Sequence, residues 1–207
     1  MNRSQHFYGL VFLLIAVRFF HLGKQIDQPH DWRQCDTAYY IQDFYENGID
    51  LLYPAVCWMG NSDTLALEFP LPEAVVAVGY NLFGESIPLA RICFLVFFLG
   101  AVYYLYKIVR LLSNVSMARI ATLVYLSLPL SFFYSRAVHI DFSVIFLAHA
   151  MVYYFFRGID NRNGWYVLLS GAITTLAFLI KIPYAFYWFL PMSMYVIERK
   201  AFRWVLP

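Results

Sequence analysis

Six apolar runs divide this chain, and they constrain its fold more than any other feature. A helix needs roughly 20 residues to cross a hydrocarbon core about 30 Å thick, and the runs approach or reach that length. The chain is 61% hydrophobic and only 14% charged, unlike an ordinary soluble domain of 207 residues. We therefore predict an all-α integral membrane protein with about six transmembrane helices. The runs span residues 6–22, 88–106, 120–137, 142–156, 165–180 and 183–197.

The polar segment between the first two runs, residues 24–84, contains two further predicted helices. Residues 36–47 place their apolar side chains on one stripe, and Gly48 is a natural stop after them. Residues 70–83 begin with a proline suited to a first helical turn and end before a second glycine. Both helices are too short or too polar to span a bilayer. We predict that they are amphipathic and lie in the outer membrane interface.

The basic residues predict the orientation. With a cytoplasmic N-terminus, the inner face receives nine Lys and Arg and the outer face five, as the positive-inside rule requires. The segment 24–84 is then extracytoplasmic, in a multi-pass plasma-membrane protein. The inner residues are Arg3, Lys107, Arg110, Arg119, Arg157, Arg162, Arg199, Lys200 and Arg203, and the outer ones are Lys24, Arg33, Arg91, Arg136 and Lys181.

Eleven of the 13 carboxylates fall on that outer face, which indicates catalysis or binding of a polar ligand there. Only Asp160 and Glu198 remain for the inner face. There, tyrosine clusters beside Lys107 and Arg157 are interpreted as an inner-leaflet aromatic belt. The basic residues are dispersed, so nucleic acid is not an expected partner. The outer carboxylates are Asp27, Asp31, Asp36, Asp43, Glu46, Asp50, Asp63, Glu68, Glu73, Glu85 and Asp141.

Four ionisable residues on the outer face are the first candidates for a site: Asp36, Glu68, Asp141 and Lys181. Each has a structural alternative. Asp36 and Asp141 suit helix N-caps, and Glu68 suits the positive end of the helix that follows it. Lys181 suits a lysine that extends to the interface. Four such groups on one face nevertheless favour function, because ionisable groups at a membrane edge are costly.

A carboxylate and a cation beside an interfacial groove suit group transfer from a lipid-anchored phosphate donor. The acceptor hydroxyl needs a general base, which one carboxylate supplies. The leaving phosphate needs no general acid, but it needs a cation that stabilises its developing negative charge. A glycosidase would instead require two carboxyl groups acting as a pair.

Short motifs in a fixed order resemble the GT-C glycosyltransferases, in particular the branch with the protein O-mannosyltransferases and the lipid A aminoarabinose transferase. The likeness covers about residues 31–191 and implies a GT-C-like fold. The motifs are residues 32–38 (WRQCDTA), Phe44, Gly48, Pro54, residues 68–70 (EFP), residues 82–84 (LFG), Arg91, Asp141 at a helix start and Lys181.

The resemblance implies a membrane glycosyltransferase that moves a hexosyl or pentosyl group from a polyprenyl-phosphate donor to a protein, lipid or glycan acceptor. Asp36 would be the catalytic base. Glu68 and Asp141 would shape the site, either by contacting the acceptor or by holding a divalent metal, the one cofactor considered. Lys181, Arg33 and Arg91 would bind the donor phosphate.

Two positions depart from the family pattern. Thr37 stands where several relatives have an acid after the Asp, and Phe69 stands where the aminoarabinose branch has a Lys. Members are usually more than twice as long, so we expect residues 1–207 to correspond to the N-terminal part of a GT-C-like module. A non-catalytic transporter or lipid carrier, or an inactive fragment of the transferase, is the alternative function.

Overall fold

The computed structural model describes residues 3–20, 22–26, 31–56 and 68–201, and every element in these ranges is helical. The prediction of an all-α class is confirmed. Two of the predicted outer carboxylates, Asp27 and Asp63, lie outside the described residues. The helices are α1 (Arg3–Ala16) with a 3-10 turn (Val17–Phe19), α2 (Asp31–Asn47), α3 (Leu71–Phe83), α4 (Ile87–Leu112), α5 (Val115–Ser127), α6 (Pro129–Tyr134), α7 (Asp141–Asn161), α8 (Gly164–Phe186) and α9 (Phe189–Glu198).

Three of the described helices, α4, α7 and α8, are long and apolar enough to cross a membrane. Helix α7 packs between the other two. A Cβ atom at Gly100 of α4 would lie 2.6 Å from the Phe146 ring of α7, so the glycine permits this close approach. The prediction of about six spans is not confirmed, because the other apolar runs form shorter helices in the described part of the chain.

The predicted run at residues 120–137 is divided at Pro129. Helix α5 ends at Ser127, and Leu128 is extended, with φ −62° and ψ 133°, before α6 begins at the proline. Proline lacks an N–H group and disfavours helical geometry in the residue before it, so a continuous helix cannot pass this point without strain.

The structure places a break in helical geometry between the predicted runs 165–180 and 183–197, and the second run is divided again after Phe186. Helix α8 extends to Phe186, and the next helix begins at Phe189. Within α8 the backbone leaves helical geometry at Lys181, with φ −163° and ψ 103°, and Pro183 follows two residues later. A kink at proline explains why the pattern looked like two runs.

Arg18 shows how the first apolar run accommodates a cation. Its side chain is fully buried, and its guanidinium donates to the Ser135 hydroxyl at 3.0 Å and to the Leu126 carbonyl at 2.6 Å. It also donates to the Leu14 carbonyl. The Phe98 ring lies 4.9 Å from Cζ, a cation–π contact. These donors and the ring replace the hydration that a buried cation loses.

The two predicted interfacial helices are present as α2 and α3. Helix α2 begins at Asp31 rather than Asp36, so the family-like motif is helical. Its buried Phe44 packs against Ala74 and Ala77 of α3. Helix α3 ends as predicted, because Gly84 follows it with φ 87°, a conformation that favours glycine.

The orientation stays a prediction, and cysteine labelling tests it. In a variant without the three native cysteines, Asn47→Cys at the end of α2 is expected to react with an impermeant thiol reagent in intact cells. Asn161→Cys at the end of α7 is expected to react only after the membrane is permeabilised. Both positions are exposed. Labelling of Asn161→Cys alone would contradict the topology.

Candidate active site

Arg33 is the centre of the first group of site residues. It lies in the first turn of α2, and Asp36 follows one turn later on the same helix face. The Arg33 Nη1 atom lies 3.8 Å from Asp36 Oδ2, and Nη2 donates to Glu68 Oε2. The three side chains are about one quarter exposed, between 21% and 28%. One guanidinium therefore holds two of the predicted carboxylates together.

Asp141 is the centre of the second group. It is the first residue of α7, and its Oδ1 atom accepts a hydrogen bond from Lys181 Nζ at 3.0 Å. Its Oδ2 atom accepts from the Tyr184 hydroxyl at 2.7 Å. His139 Nδ1 lies 3.5 Å from Oδ1. The kink in α8 carries Lys181 to this carboxylate, and Tyr184 follows one turn after it.

One cavity of about 620 Å³ connects the two groups. Arg33, Asp141 and Lys181 line its polar side, whereas Asp36 and Glu68 are not among its lining residues and pair with Arg33 beside it. The apolar wall comes mainly from the α5–α6 segment and α7. The full set of lining residues is Trp32, Arg33, Tyr125, Leu128, Leu130, Ser131, Tyr134, His139, Asp141, Phe142, Ile145, Lys181 and Tyr184.

Two hydrogen bonds fix α2 and the segment before α3 against the rest of the site. The Val138 amide donates to the buried Gln34 side chain at 3.2 Å. The Phe69 amide donates to the Leu179 carbonyl of α8 at 3.0 Å. The first anchors α2 beside the Arg33 group, and the second holds Glu68 near the kink. Both groups of charged residues are thereby held beside the same cavity.

The structure gives a poor fit to the capping alternative. Asp36 is the sixth residue of α2, well past the cap position. Asp141 is inside α7, whose N-cap is Ile140 with no capping side chain. Glu68 precedes α3 as predicted, but its carboxylate accepts from Arg33. Glu68 and Asp141 thus accept hydrogen bonds from cationic side chains, and Asp36 forms a longer ion pair with Arg33, instead of capping helices.

Arg91 does not join the other predicted site residues. Its side chain is buried, and it donates to the Leu22 carbonyl at 2.8 Å and the Gln25 carbonyl at 3.1 Å. It holds the segment after α1 and does not line the described cavity.

Glu73 is an ionisable group of this region that the sequence did not single out. It lies in the first turn of α3 with 5% of its surface exposed, and its Oε2 atom has no hydrogen-bond partner among the described residues. Burial, together with the nearby Glu68 carboxylate, raises its pKa from 4.5 to about 8, against the lowering effects of its own amide and Arg33. The pKa of the neighbouring Tyr40 rises to about 12, chiefly through burial.

Three more residues of the site were missed, and two had sequence signals. Tyr184 is three positions after Lys181, a helical spacing that places two side chains on one face. His139 precedes Asp141 by two residues. Trp32, 63% exposed at the cavity, was quoted only as part of a motif.

A divalent metal was considered at Glu68 and Asp141. Each of these carboxylates accepts from a cationic side chain. Within the described ranges, no three His, Cys, Asp or Glu side chains are grouped as metal ligands. The donor set shown here therefore does not fit a metal site.

Comparison with known proteins identifies the family. Residues 68–206, more than half of the chain, match the family of dolichyl-phosphate-mannose-protein mannosyltransferases. Glu68, Asp141 and Lys181 lie inside the matched range, whereas Arg33 and Asp36 precede it. No curated protein and no solved structure matches the chain. The apolar helices and the matched range together show that the chain belongs to the dolichyl-phosphate-mannose-protein mannosyltransferase family, a family of membrane glycosyltransferases.

Proposed function

We propose that this chain forms the donor-binding and base-carrying part of a glycosyltransferase that uses a polyprenyl-phosphate sugar on the extracytoplasmic face. One observation carries the proposal: a cavity of about 620 Å³ combines two cations held by carboxylates with an apolar wall. A phosphate with a hydrocarbon chain has both of these chemical characters. Family membership supports the transfer reaction itself.

In this mechanism Asp36 accepts the proton of the acceptor hydroxyl. The acceptor oxygen forms a bond to the anomeric carbon, and the bond from that carbon to the phosphate oxygen breaks. The electron pair leaves with the polyprenyl phosphate. Lys181 and Arg33 stabilise the negative charge that develops there, as fixed cations do in a partly dehydrated site.

The ion pairs explain how those cations are kept in position. Asp141 fixes the Lys181 ammonium, and Tyr184 fixes Asp141 by donating a hydrogen bond to it. Glu68 fixes the Arg33 guanidinium. Positioning a cation before the donor arrives lowers the entropy lost when the donor binds. Phe69 stands where the aminoarabinose branch has a Lys, so this chain lacks one cation there. Arg33 supplies a replacement, because it lines the cavity and Arg91 does not.

Lys181→Met tests the donor site without requiring turnover. The variant keeps an unbranched stem and removes the cation, so we expect roughly tenfold or more weaker binding of a synthetic polyprenyl-phosphate mannose to the detergent-solubilised chain. The measurement is fluorescence titration. Polyprenyl phosphate without the sugar is the second ligand, and its affinity should fall by the same factor.

Lys24→Met is the matched control, because Lys24 is exposed and does not line the cavity. It should bind the donor like the wild type. Equal affinity of wild type and Lys181→Met for both ligands would contradict the assignment of Lys181 to the donor phosphate.

A further inference from the structure

A second cavity, of about 280 Å³, lies between α4 and α7 and is predominantly basic. Its lining residues are Lys107, Arg110, Leu111, Tyr153 and Arg157. We call it the basic cavity. It has no residue in common with the candidate active site.

The basic cavity lies at the opposite end of the helices from that site. Asp141 opens α7, and Arg157 follows sixteen residues later on the same helix. At 1.5 Å per residue, this separates them by about 24 Å along the helix axis. Lys107 and Arg110 occupy the last turns of α4. The cavity is therefore where two membrane-length helices end together.

The cations of the basic cavity lack acidic partners. None of the ion pairs found among the described residues involves Lys107, Arg110 or Arg157. The neighbouring carboxylate at this end, Asp160, lies 3.4 Å from Arg199 and accepts from the Tyr195 hydroxyl at 2.7 Å.

Aromatic rings hold these cations in place. The Lys107 ammonium lies 5.4 Å from the centre of the Tyr153 ring and 5.6 Å from that of Tyr103. Arg157 Cζ lies 6.0 Å from the Tyr166 ring centre. Such contacts favour a cation over a ring face. Beyond the aromatic-belt role predicted from sequence, Tyr153 lines a cavity in which positive charge converges.

We propose that the basic cavity binds the phosphate of an anionic phospholipid headgroup in the leaflet at that end of α4 and α7. Three cations without acidic partners favour an anion, and their place at the ends of apolar helices puts that anion at headgroup level. Basic pockets between spanning helices recognise anionic headgroups in this way. The walls supply three cations and no carboxylate, so an anionic headgroup fits better than a zwitterionic one.

Native mass spectrometry of the full chain, released from nanodiscs of phosphatidylglycerol and phosphatidylcholine, tests the proposal. The wild type is expected to retain phosphatidylglycerol selectively. Lys107→Gln combined with Arg157→Gln should reduce that selectivity roughly tenfold or more, since each cation near the surface contributes to anionic lipid binding. Arg110→Gln alone, at an exposed position, should reduce it less and serves if the double variant fails to fold.

The matched control is Arg162→Asn combined with Lys200→Asn, which removes two cations from the same end outside the cavity. Both positions have positive φ, 48° and 51°, which Asn tolerates well. Equal loss in the control and the cavity variant would overturn the proposal in favour of a general surface charge. So would displacement of the lipid by millimolar inorganic phosphate, which would indicate a site for the free anion, or unchanged selectivity in Arg110→Gln and the double variant.

Discussion

Asp36→Asn is expected to reduce sugar transfer by roughly two to four orders of magnitude, the usual contribution of a positioned general base. The change removes the proton acceptor and keeps the size of the side chain. Folding should be nearly unaffected, because Asp36 lies inside α2 and its partly exposed ion pair with Arg33, at 3.8 Å, is worth about 1 kcal/mol or less. The measurement is the rate of transfer from a polyprenyl-phosphate sugar by membranes that contain the intact protein.

Asp43→Asn is the matched control on the same helix. The Asp43 carboxylate accepts from Asn47 at 2.8 Å and, unlike Asp36, forms no ion pair with Arg33 among the described residues, so its replacement removes one charge from α2 without disturbing the site. Transfer by this variant should stay near the wild-type rate. Near-normal transfer by Asp36→Asn would rule out Asp36 as the base, and equal losses in both variants would point to net charge instead.

Glu73→Gln is expected to remove a pH-dependent loss of stability of the folded chain. Below about pH 4.5, Glu73 is protonated in the folded and unfolded states alike and costs nothing. As the pH rises towards 8, the unfolded chain releases the proton while the folded chain keeps it, so the wild type loses stability. Above pH 8 the difference stays constant. By then the wild type has lost on the order of 5 kcal/mol relative to acid pH, a loss that the variant does not show.

Thermal unfolding of the detergent-solubilised chain between pH 4 and pH 9 measures this effect. The readout is how the difference between variant and wild type changes with pH, so a constant offset from the new amide does not matter. Glu198→Gln, at an exposed position on the opposite end, should run parallel to the wild type. A Glu73→Gln curve that also runs parallel would show that the buried carboxyl does not take up a proton on folding.

The sequence predicted the helical class and the charged residues that now lie near one another because both depend on local patterns. Apolar runs fix where helices form, and Asp141 and Lys181 were recognisable as charges at their edges. The structure brings these two within 3.0 Å of each other and adds Arg33 to the same cavity.

The sequence could not predict features that depend on tertiary contacts. The start of α2 was placed at Asp36, although residues 31–35 are helical as well, because Gln34 is held by the Val138 amide from a distant segment. Glu73 was counted only among the outer carboxylates, because its burial depends on the packing of α2 on α3. Arg91 was grouped with the phosphate ligands since its backbone partners, Leu22 and Gln25, carry no sequence signature.

The hydrogen bond from the Phe69 amide to the Leu179 carbonyl depends on the proline of the kinked helix. In a regular helix the Leu179 carbonyl would accept from the amide four residues later, but that residue is Pro183, which has no N–H group. The proline thus leaves the Leu179 carbonyl without its usual helical donor, and the Phe69 amide donates to it at 3.0 Å. Because Pro183 has no N–H group, this carbonyl can accept a hydrogen bond from a segment distant in sequence. We expect Pro183→Ala to supply an amide that competes with Phe69 for that carbonyl, and so to loosen the segment that carries Glu68.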